Sequence, residues 1–329
     1  MTINVWSGLT YRGVVRMESF EPDDVRERRF SALVACIREL SPDVIAVNEA
    51  NPLPFYAKRL AAETGCDFVW HIGVSGLRLG PFGVPVNLRE GDVILARRGL
   101  SLRFAGRVHL GGGGFAYNHV SMHTGNLTQA VLGSIRVHGR DVYIAVTHWH
   151  ASPRLDTADE ELERLAGRYG YTEKQLAAAK KLIERDRAWK MKEAVRLAAW
   201  LEKKVPPGSP LIVMGDLNAE HGWPETRHLL DRGFRDVFSA VRNSPGSTWD
   251  PARNGNLIKH YRVDETALFE NPYDHLHALD ELEPRRIDYI LVNDILRESD
   301  ILDAGLCCTA RYEGVHASDH FGVFARIRV

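Results

Sequence analysis

Six short apolar runs limit what this chain can become: Val44–Val47, Val93–Ala96, Val142–Val146, Leu211–Met214, Ile287–Val292 and Phe321–Ile327. Each is short, rich in β-branched residues and bounded by polar residues or glycine, the pattern of a strand buried in a sheet. Helical periodicity fills the gaps between them. Asp23–Leu40 puts Val25, Phe30, Leu33, Val34, Ile37 and Leu40 in helical register and stops at Ser41-Pro42. Leu53–Thr64 is a second, weaker helix. A long helix runs from an N-cap at Thr172 to about Lys204 and stops at Val205-Pro206-Pro207-Gly208. Strands alternating with helices predict an α/β layered architecture. At 329 residues the chain is long enough for two domains. No linker or internal repeat divides it, so residues 1–329 are expected to form one catalytic domain. Two irregular excursions, Leu77–Gly91 and Ala240–Arg286, interrupt the pattern, and a long polar loop in a compact domain is usually functional.

The polar residues at the strand ends carry the chemistry. Asn4 lies in the first apolar segment, and Glu49, His148, Asp216 and Asn218 follow the ends of three later strands. In α/β sheets ligands bind outside the carboxyl ends of the strands. Asp288 and the Asp319-His320 pair sit at the beginnings of their strands instead. If they face the same edge, those strands run antiparallel to the others, and the sheets must be mixed. That excludes a purely parallel Rossmann or barrel sheet. The segment from Asp216 is not an EF-hand loop, because its sixth position is His221 and its twelfth is Arg227.

Taken together, the segments resemble the endonuclease/exonuclease/phosphatase family, whose fold is that of deoxyribonuclease I. Pro42-Asp43-Val44-Ile45-Ala46-Val47-Asn48-Glu49 is similar to its PDVI-x-L-Q-E segment, Thr147-His148 to TH, Gly215-Asp216-Leu217-Asn218 to GD-x-N, Arg286-Ile287-Asp288-Tyr289-Ile290 to RIDYI and Ser318-Asp319-His320 to SDH. The resemblance implies a four-layer α/β sandwich, two packed mixed β-sheets flanked by helices. It also implies metal-dependent hydrolysis of a phosphoester. Glu49 would be the principal ligand of Mg²⁺ or Mn²⁺, with Asn4 and Asp319 near the ion. Asp216 would orient or activate the attacking water, Asn218 and His148 would hold phosphate oxygens, and Asp288 would polarise His320. Carboxylate and amide oxygens suit a hard divalent cation, which stabilises charge on a phosphoryl oxygen.

His150, two residues after His148, departs from the family pattern. Strand alternation puts both on one face, so His150 could be a zinc ligand, a leaving-group acid or a surface residue, and a zinc hydrolase is the rival chemistry. Ser247-Thr248-Trp249-Asp250 resembles a loop of sphingomyelinase-like members. Trp249 and Asp250 could bracket a head group by cation–π contact, or Trp249 could simply pin the loop. The Gly111–Gly114 run could be a lid or a hairpin tip, and Ser152–Tyr171 reads as an insertion walling the site.

Charge bears on the substrate. Lys+Arg is 42 and Asp+Glu 43, so the chain lacks the basic surplus of a dedicated duplex binder. The densest basic stretches, Arg26–Arg29, Lys180-Lys181 and Arg285-Arg286, have acids mixed in or nearby. A small organic or lipid-derived phosphoester is therefore the expected substrate, with DNA or RNA the alternative and a non-catalytic binding role a distant third. No hairpin reads as aromatic-rich and amphipathic enough to enter a bilayer, and no apolar run could span one. The four cysteines read as buried reduced thiols. A cytoplasmic monomer is expected, unless a leader has been removed.

Overall fold

A computed structural model describes residues 1–10, 19–85, 88–123, 125, 127–244, 246–257 and 269–329, and each of the six apolar runs carries a strand. The first sheet has the order β17 (Ile301–Cys307), β18 (Gly322–Ile327), β1 (Thr2–Asn4), β4 (Val44–Ala50), β8 (Glu90–Arg97) and β5 (Cys66–Val74). The second has β15 (Arg235–Asp236), β16 (Asp288–Val292), β14 (Leu211–Asp216), β13 (Arg140–His148), β12 (Thr128–Val137) and β9 (Arg103–Gly111). Both are mixed: β1 and β4 run parallel in one, β13 and β14 in the other, and their remaining neighbours are antiparallel. A short pair, β2 (Leu9–Thr10) and β3 (Ser19–Phe20), stands apart. So does a small four-stranded sheet of β10 (Phe115–Ala116), β11 (Val120–Met122), β6 (Leu77–Leu79) and β7 (Phe82–Val84).

The layers follow from which faces are apolar. Ala46 and Ile94 of the first sheet meet Val131, Ile144, Val146, Met214 and Ile290 of the second in a fully buried seam. The outer face of the first sheet is covered by α1 (Asp23–Leu40) and α2 (Phe55–Thr64), through Phe30, Leu33, Ile37 and Leu60. The outer face of the second is covered by α4 (Glu173–Lys204), through Ala194, Leu197 and Leu201. The result is the expected four-layer sandwich. Asp23 and Asp24 in the first turn of α1 complement its dipole. A reciprocal capping box between Thr172 and Gln175 starts α4. α2 begins two residues later than its periodicity suggests, because Pro54 disfavours helical geometry at Leu53.

The insertion after His150 contains α3 (Ala158–Tyr169), which packs on α4 and on α7 (Pro272–Asp280) through Leu162, Leu165, Ile183 and Leu276. Two short helices, α5 (Pro224–Leu230) and α6 (Val237–Val241), fill the connections after β14 and β15. Part of the Ala240–Arg286 excursion, residues 245 and 258–268, lies outside the described residues, as do residues 86–87 of Leu77–Gly91. The Gly111–Gly114 run is neither lid nor hairpin tip: it carries the chain from β9 into the small sheet. Among the described residues no helix is long and apolar enough to cross a membrane.

The cysteines correct the expectation of four reduced thiols. Cys36 of α1 and Cys308, just beyond β17, form a disulfide, leaving Cys66 and Cys307 as buried thiols. Folding brings together residues 272 positions apart, which sequence spacing cannot reveal. Titration of the denatured, unreduced protein should therefore count two thiols, and four after reduction. Cys308→Ser should lower stability by about 2–4 kcal/mol, measured in urea.

Candidate active site

The strand directions deliver the expected residues to one edge. Parallel β13 and β14 end together there, with His148 opposite Asp216, and antiparallel β16 begins there, with Asp288 opposite Asp216. In the first sheet β1 and β4 end together, with Asn4 opposite Asn48. Glu49 sits at an irregularity in the β4–β8 pairing and has a left-handed φ of 56°, a local kink that re-aims its side chain.

Asp216 is the centre of the arrangement. It is 1% exposed, and its Oδ2 lies 3.1 Å from Asn4 Nδ2, 3.6 Å from His148 Nε2 and 3.9 Å from His320 Nε2. Its Oδ1 accepts from the Asn218 backbone N–H at 2.8 Å. His320 Nδ1 bonds Asp288 Oδ2 at 2.8 Å. Glu49 accepts from Asn4 Nδ2 at 2.9 Å and from the Ser7 N–H at 3.2 Å, and its Oε1 lies 3.9 Å from His148 Nε2.

Electrostatics favour the charged form of both imidazoles. Burial opposes a charged His320, but Asp288, Asp216 and Asp319 outweigh it and raise its pKa well above the usual value. Burial likewise opposes a charged His148, and Asp216 and Glu49 overcome it. Around them the carboxylates crowd. Burial raises Asp319 to about 6, and burial with the Glu49 charge raises Glu90 to about 8. Asp92 is raised to about 6, again by burial.

Several supporting residues were not singled out from the sequence. Asn48 donates to Asp92 Oδ1 at 2.7 Å and to the Thr147 carbonyl at 3.1 Å, and its Oδ1 accepts from the Asp216 N–H at 3.1 Å. Gln129 donates to Asp92 Oδ2 at 2.8 Å. Lys190 of α4 is fully buried, donates to the Asn218 carbonyl and lies 5.4 Å from the Trp223 ring. Burial lowers its pKa to about 8 despite Glu225 and Glu193. The available signal was a lysine on the apolar side of a helix, in register with Ile183, Ala194 and Leu197. Asn48 and Asp92 adjoin recognised positions, but nothing local marks them.

Three expected substrate contacts are placed elsewhere. The strand ends at His148, so alternation no longer governs His150. His150 stacks on Trp189 of α4 at 4.2 Å and its Nε2 meets Asp186 Oδ1 at 3.2 Å. It does not converge with His148 on shared partners, which removes the paired-histidine basis of a zinc centre, and it is not a surface residue. Trp249 is 5% exposed, donates Nε1–H to the Glu281 carbonyl at 2.9 Å and packs edge-on against His320 at 5.2 Å. Asp250 is also buried and accepts from the Arg253 N–H at 3.2 Å. Their loop is a brace: Asn254 and Asn256 donate to the carbonyls of His316, Ser318 and Asp319. Trp249 and Asp250 are thus buried in the loop that braces the His320 turn.

The donor set fits a hard divalent cation. Glu49 and Asp319 supply carboxylate oxygens close enough to influence each other electrostatically, and such oxygens suit a hard divalent ion. Asn4 is set differently from a ligand: its amide nitrogen faces Glu49 and Asp216, and its oxygen accepts from the Trp6 N–H at 3.0 Å. Asp216, Asp288 and His320 also cluster, with ligand atoms within 4.8 Å of one another, but the Asp288–His320 hydrogen bond already occupies the imidazole's inner nitrogen.

Comparison with known proteins agrees with this geometry. A family model described as the Endonuclease/Exonuclease/phosphatase family matches residues 1–320. No curated protein matches the chain in sequence. Among solved structures, an endonuclease/exonuclease/phosphatase family protein from Leptotrichia buccalis C-1013-b is 17% identical with a TM-score of 0.57, covering 100% of this chain and 98% of that one. A mannosyl-6-phosphatase from Bacteroides thetaiotaomicron VPI-5482 is 13% identical with a TM-score of 0.57, covering 100% and 98%. D. rerio TDP2 complexed with single strand DNA product is 15% identical with a TM-score of 0.54, covering 92% of each chain. These likenesses establish the shared fold.

Asn48→Ala should leave the Asp216 N–H and Asp92 Oδ1 without their partner. An unsatisfied buried polar group costs about 1–3 kcal/mol. The urea midpoint should fall by an equivalent of at least about 2 kcal/mol, with an unchanged denaturant slope.

Proposed function

We propose, from the premise that this chain belongs to the endonuclease/exonuclease/phosphatase family, that it is a divalent-metal-dependent phosphodiesterase acting on a small organic or lipid-derived phosphoester. The observation that carries the reading is the convergence of His148, His320 and Asn4 on one oxygen of Asp216, beside Glu49. Residues 1–329 act as one catalytic unit, because the participating positions run from Asn4 to His320.

Glu49 and Asp319 hold the cation, Mg²⁺ or Mn²⁺, and Asn4 orients Glu49 through its amide. The ion, when bound, neutralises a phosphoryl oxygen and stabilises charge that develops there. Asp216, positioned by Asn4 and by the Asn218 N–H, orients the attacking water and accepts its proton. His320, kept protonated by Asp288, stabilises the five-coordinate phosphorus and can give its Nε2 proton to the departing oxygen. His148 and the Asn218 amide, whose Nδ2 also donates to the Trp149 carbonyl at 3.0 Å, are the donors offered to the phosphate oxygens.

Charge pairing favours a small substrate over duplex nucleic acid. Most of the basic candidates are neutralised locally: Arg26 by Asp23, Arg28 by Asp24, Arg29 by Glu21, Lys180 by Glu163, Arg285 by Glu281 and Arg286 by Asp236. One observation keeps a nucleic-acid end as the second reading. A cleft of about 750 Å³, counting its open mouth, adjoins Glu49 and is walled by Trp6, Phe55, Tyr56 and Arg59. Aromatic walls can stack a base.

Asp216→Ala and His320→Ala should each lower hydrolysis of bis-p-nitrophenyl phosphate by about 10²–10⁴-fold with unchanged folding. Full activity in either variant would sink the mechanism. Chelation should abolish activity and Mg²⁺ or Mn²⁺ should restore it. A panel of glycerophosphodiesters, sphingomyelin, cyclic nucleotides, phosphomonoesters and nicked or abasic DNA discriminates the substrates, and cleavage of DNA alone would overturn the preference for a small ester.

A further inference from the structure

The small sheet is amphipathic in the wrong sense for water. Across its strands Val84, Leu77, Met122 and Phe115 stand in one row, and Phe82, Leu79 and Val120 in the next. All seven are exposed, from 37% for Val120 to 80% for Phe82. The alternate positions turn inward and are the polar or small ones. Arg78 is 4% exposed and donates to the carbonyls of Pro85 and Leu88, Ser121 is 3% exposed and bonds Ser75 and Gly76, and Ala116 is buried. A sheet with one solvated face normally buries its apolar side and exposes its polar one. Here that order is reversed, and an exposed apolar patch of this kind marks an interaction surface.

Two further observations identify the occupant. The apolar face carries no hydrogen-bonding side chain, whereas a protein–protein interface has about one hydrogen bond per 100–200 Å². The stretches of chain that build this face also carry no acidic residue. Among 43 acidic residues in the chain, none falls between Asp67 and Glu90 or between Asp92 and Asp141, the stretches that build this sheet and its stem. Arg107 lies 5.1 Å from the ring of Tyr117, which is 54% exposed beside Phe115. An apolar face edged by aromatic rings, with Arg107 beside one of them and no acidic residue in its own strands, suits the boundary between phosphate head groups and acyl chains.

The sheet is also rooted at the catalytic edge. It leaves the sandwich from the end of β5 and from the end of β9, and rejoins at Glu90 and at Thr128, next to the residues that face Glu49 and His148. The stem is fixed by hydrogen bonds: His123 Nε2 accepts from the Ser75 and Gly76 N–H groups at 2.8 and 2.9 Å, and Asn118 accepts from the Ile72 N–H at 3.0 Å.

We infer that the outward face of this small sheet seats the protein on a lipid surface, bringing the catalytic edge to phosphoesters held in or released from that surface. This departs from the expectation that no hairpin is amphipathic and aromatic-rich enough to enter a bilayer. It deepens the proposed function and rests on it only for the chemistry performed there, since docking is measured without turnover.

The test uses the whole chain and vesicles of phosphatidylcholine, alone and with one quarter phosphatidylglycerol. The unaltered protein should co-sediment with vesicles, more strongly with the anionic lipid. The double variant Leu79→Glu, Phe82→Glu should lose partitioning about tenfold or more. It should keep its thermal unfolding midpoint and its rate on soluble bis-p-nitrophenyl phosphate, because both positions are exposed and outside the catalytic set. Asp216→Ala should still bind vesicles, so failed catalysis and failed docking are read separately. No co-sedimentation with either lipid would overturn the inference. So would a dimer in sedimentation velocity that the double variant dissolves, since the face would then be a contact between copies of the chain.

Discussion

One buried amide holds the two halves of this site in register. Asn48 belongs to the first sheet, yet two of its three hydrogen bonds reach the second, to the Thr147 carbonyl and from the Asp216 N–H. The third anchors Asp92 on β8. Glu49, on the neighbouring residue, and Asp216 are thus fixed relative to each other across the sandwich seam. Gly215 completes the approach. Its φ is +136°, and a Cβ there would meet the Thr147 carbonyl oxygen at 2.0 Å and Asn48 Oδ1 at 3.0 Å. Any larger residue would push apart the strands that the amide joins.

The same economy of support recurs on the far side of the second sheet. α4 presents Asp186, Lys190 and Glu193 toward the ends of β13 and β14, all three fully buried. Buried charges are tolerable only when they have partners. Asp186 is met by His150 and Tyr273, Glu193 by Thr128, Trp189 and the His150 N–H, and Lys190 by the Asn218 carbonyl. The long helix therefore holds the two active-site loops from behind, and His150 serves that frame.

What could be read from the sequence was local. β4 and β14 announce themselves by β-branched runs, and their terminal Glu49 and Asp216 follow directly. The mixed sheets followed from Asp288 and Asp319 standing at strand beginnings. What could not be read depends on contacts distant in sequence. Asn48 acts on residues 44, 99 and 168 positions away, and Cys36 finds its partner 272 away. Trp249 looked like a ligand-facing ring because exposure is invisible in sequence. The small sheet was missed because its strands are two or three residues long and its apolar residues point outward, opposite to the usual meaning of alternation.

The row His148, Asp216, Asp288 is a single line of register partners across three neighbouring strands. Side chains in a strand change face with every residue, so the site is protected by parity. Slipping any of the three strands by one residue would turn one of these side chains to the opposite face, while slipping by two would restore the face but move it along the strand. The loops beyond those ends obey no such arithmetic. They can lengthen, shorten or be exchanged without moving the row, which leaves the chemistry constant while the surfaces that choose and approach a substrate are free to diverge.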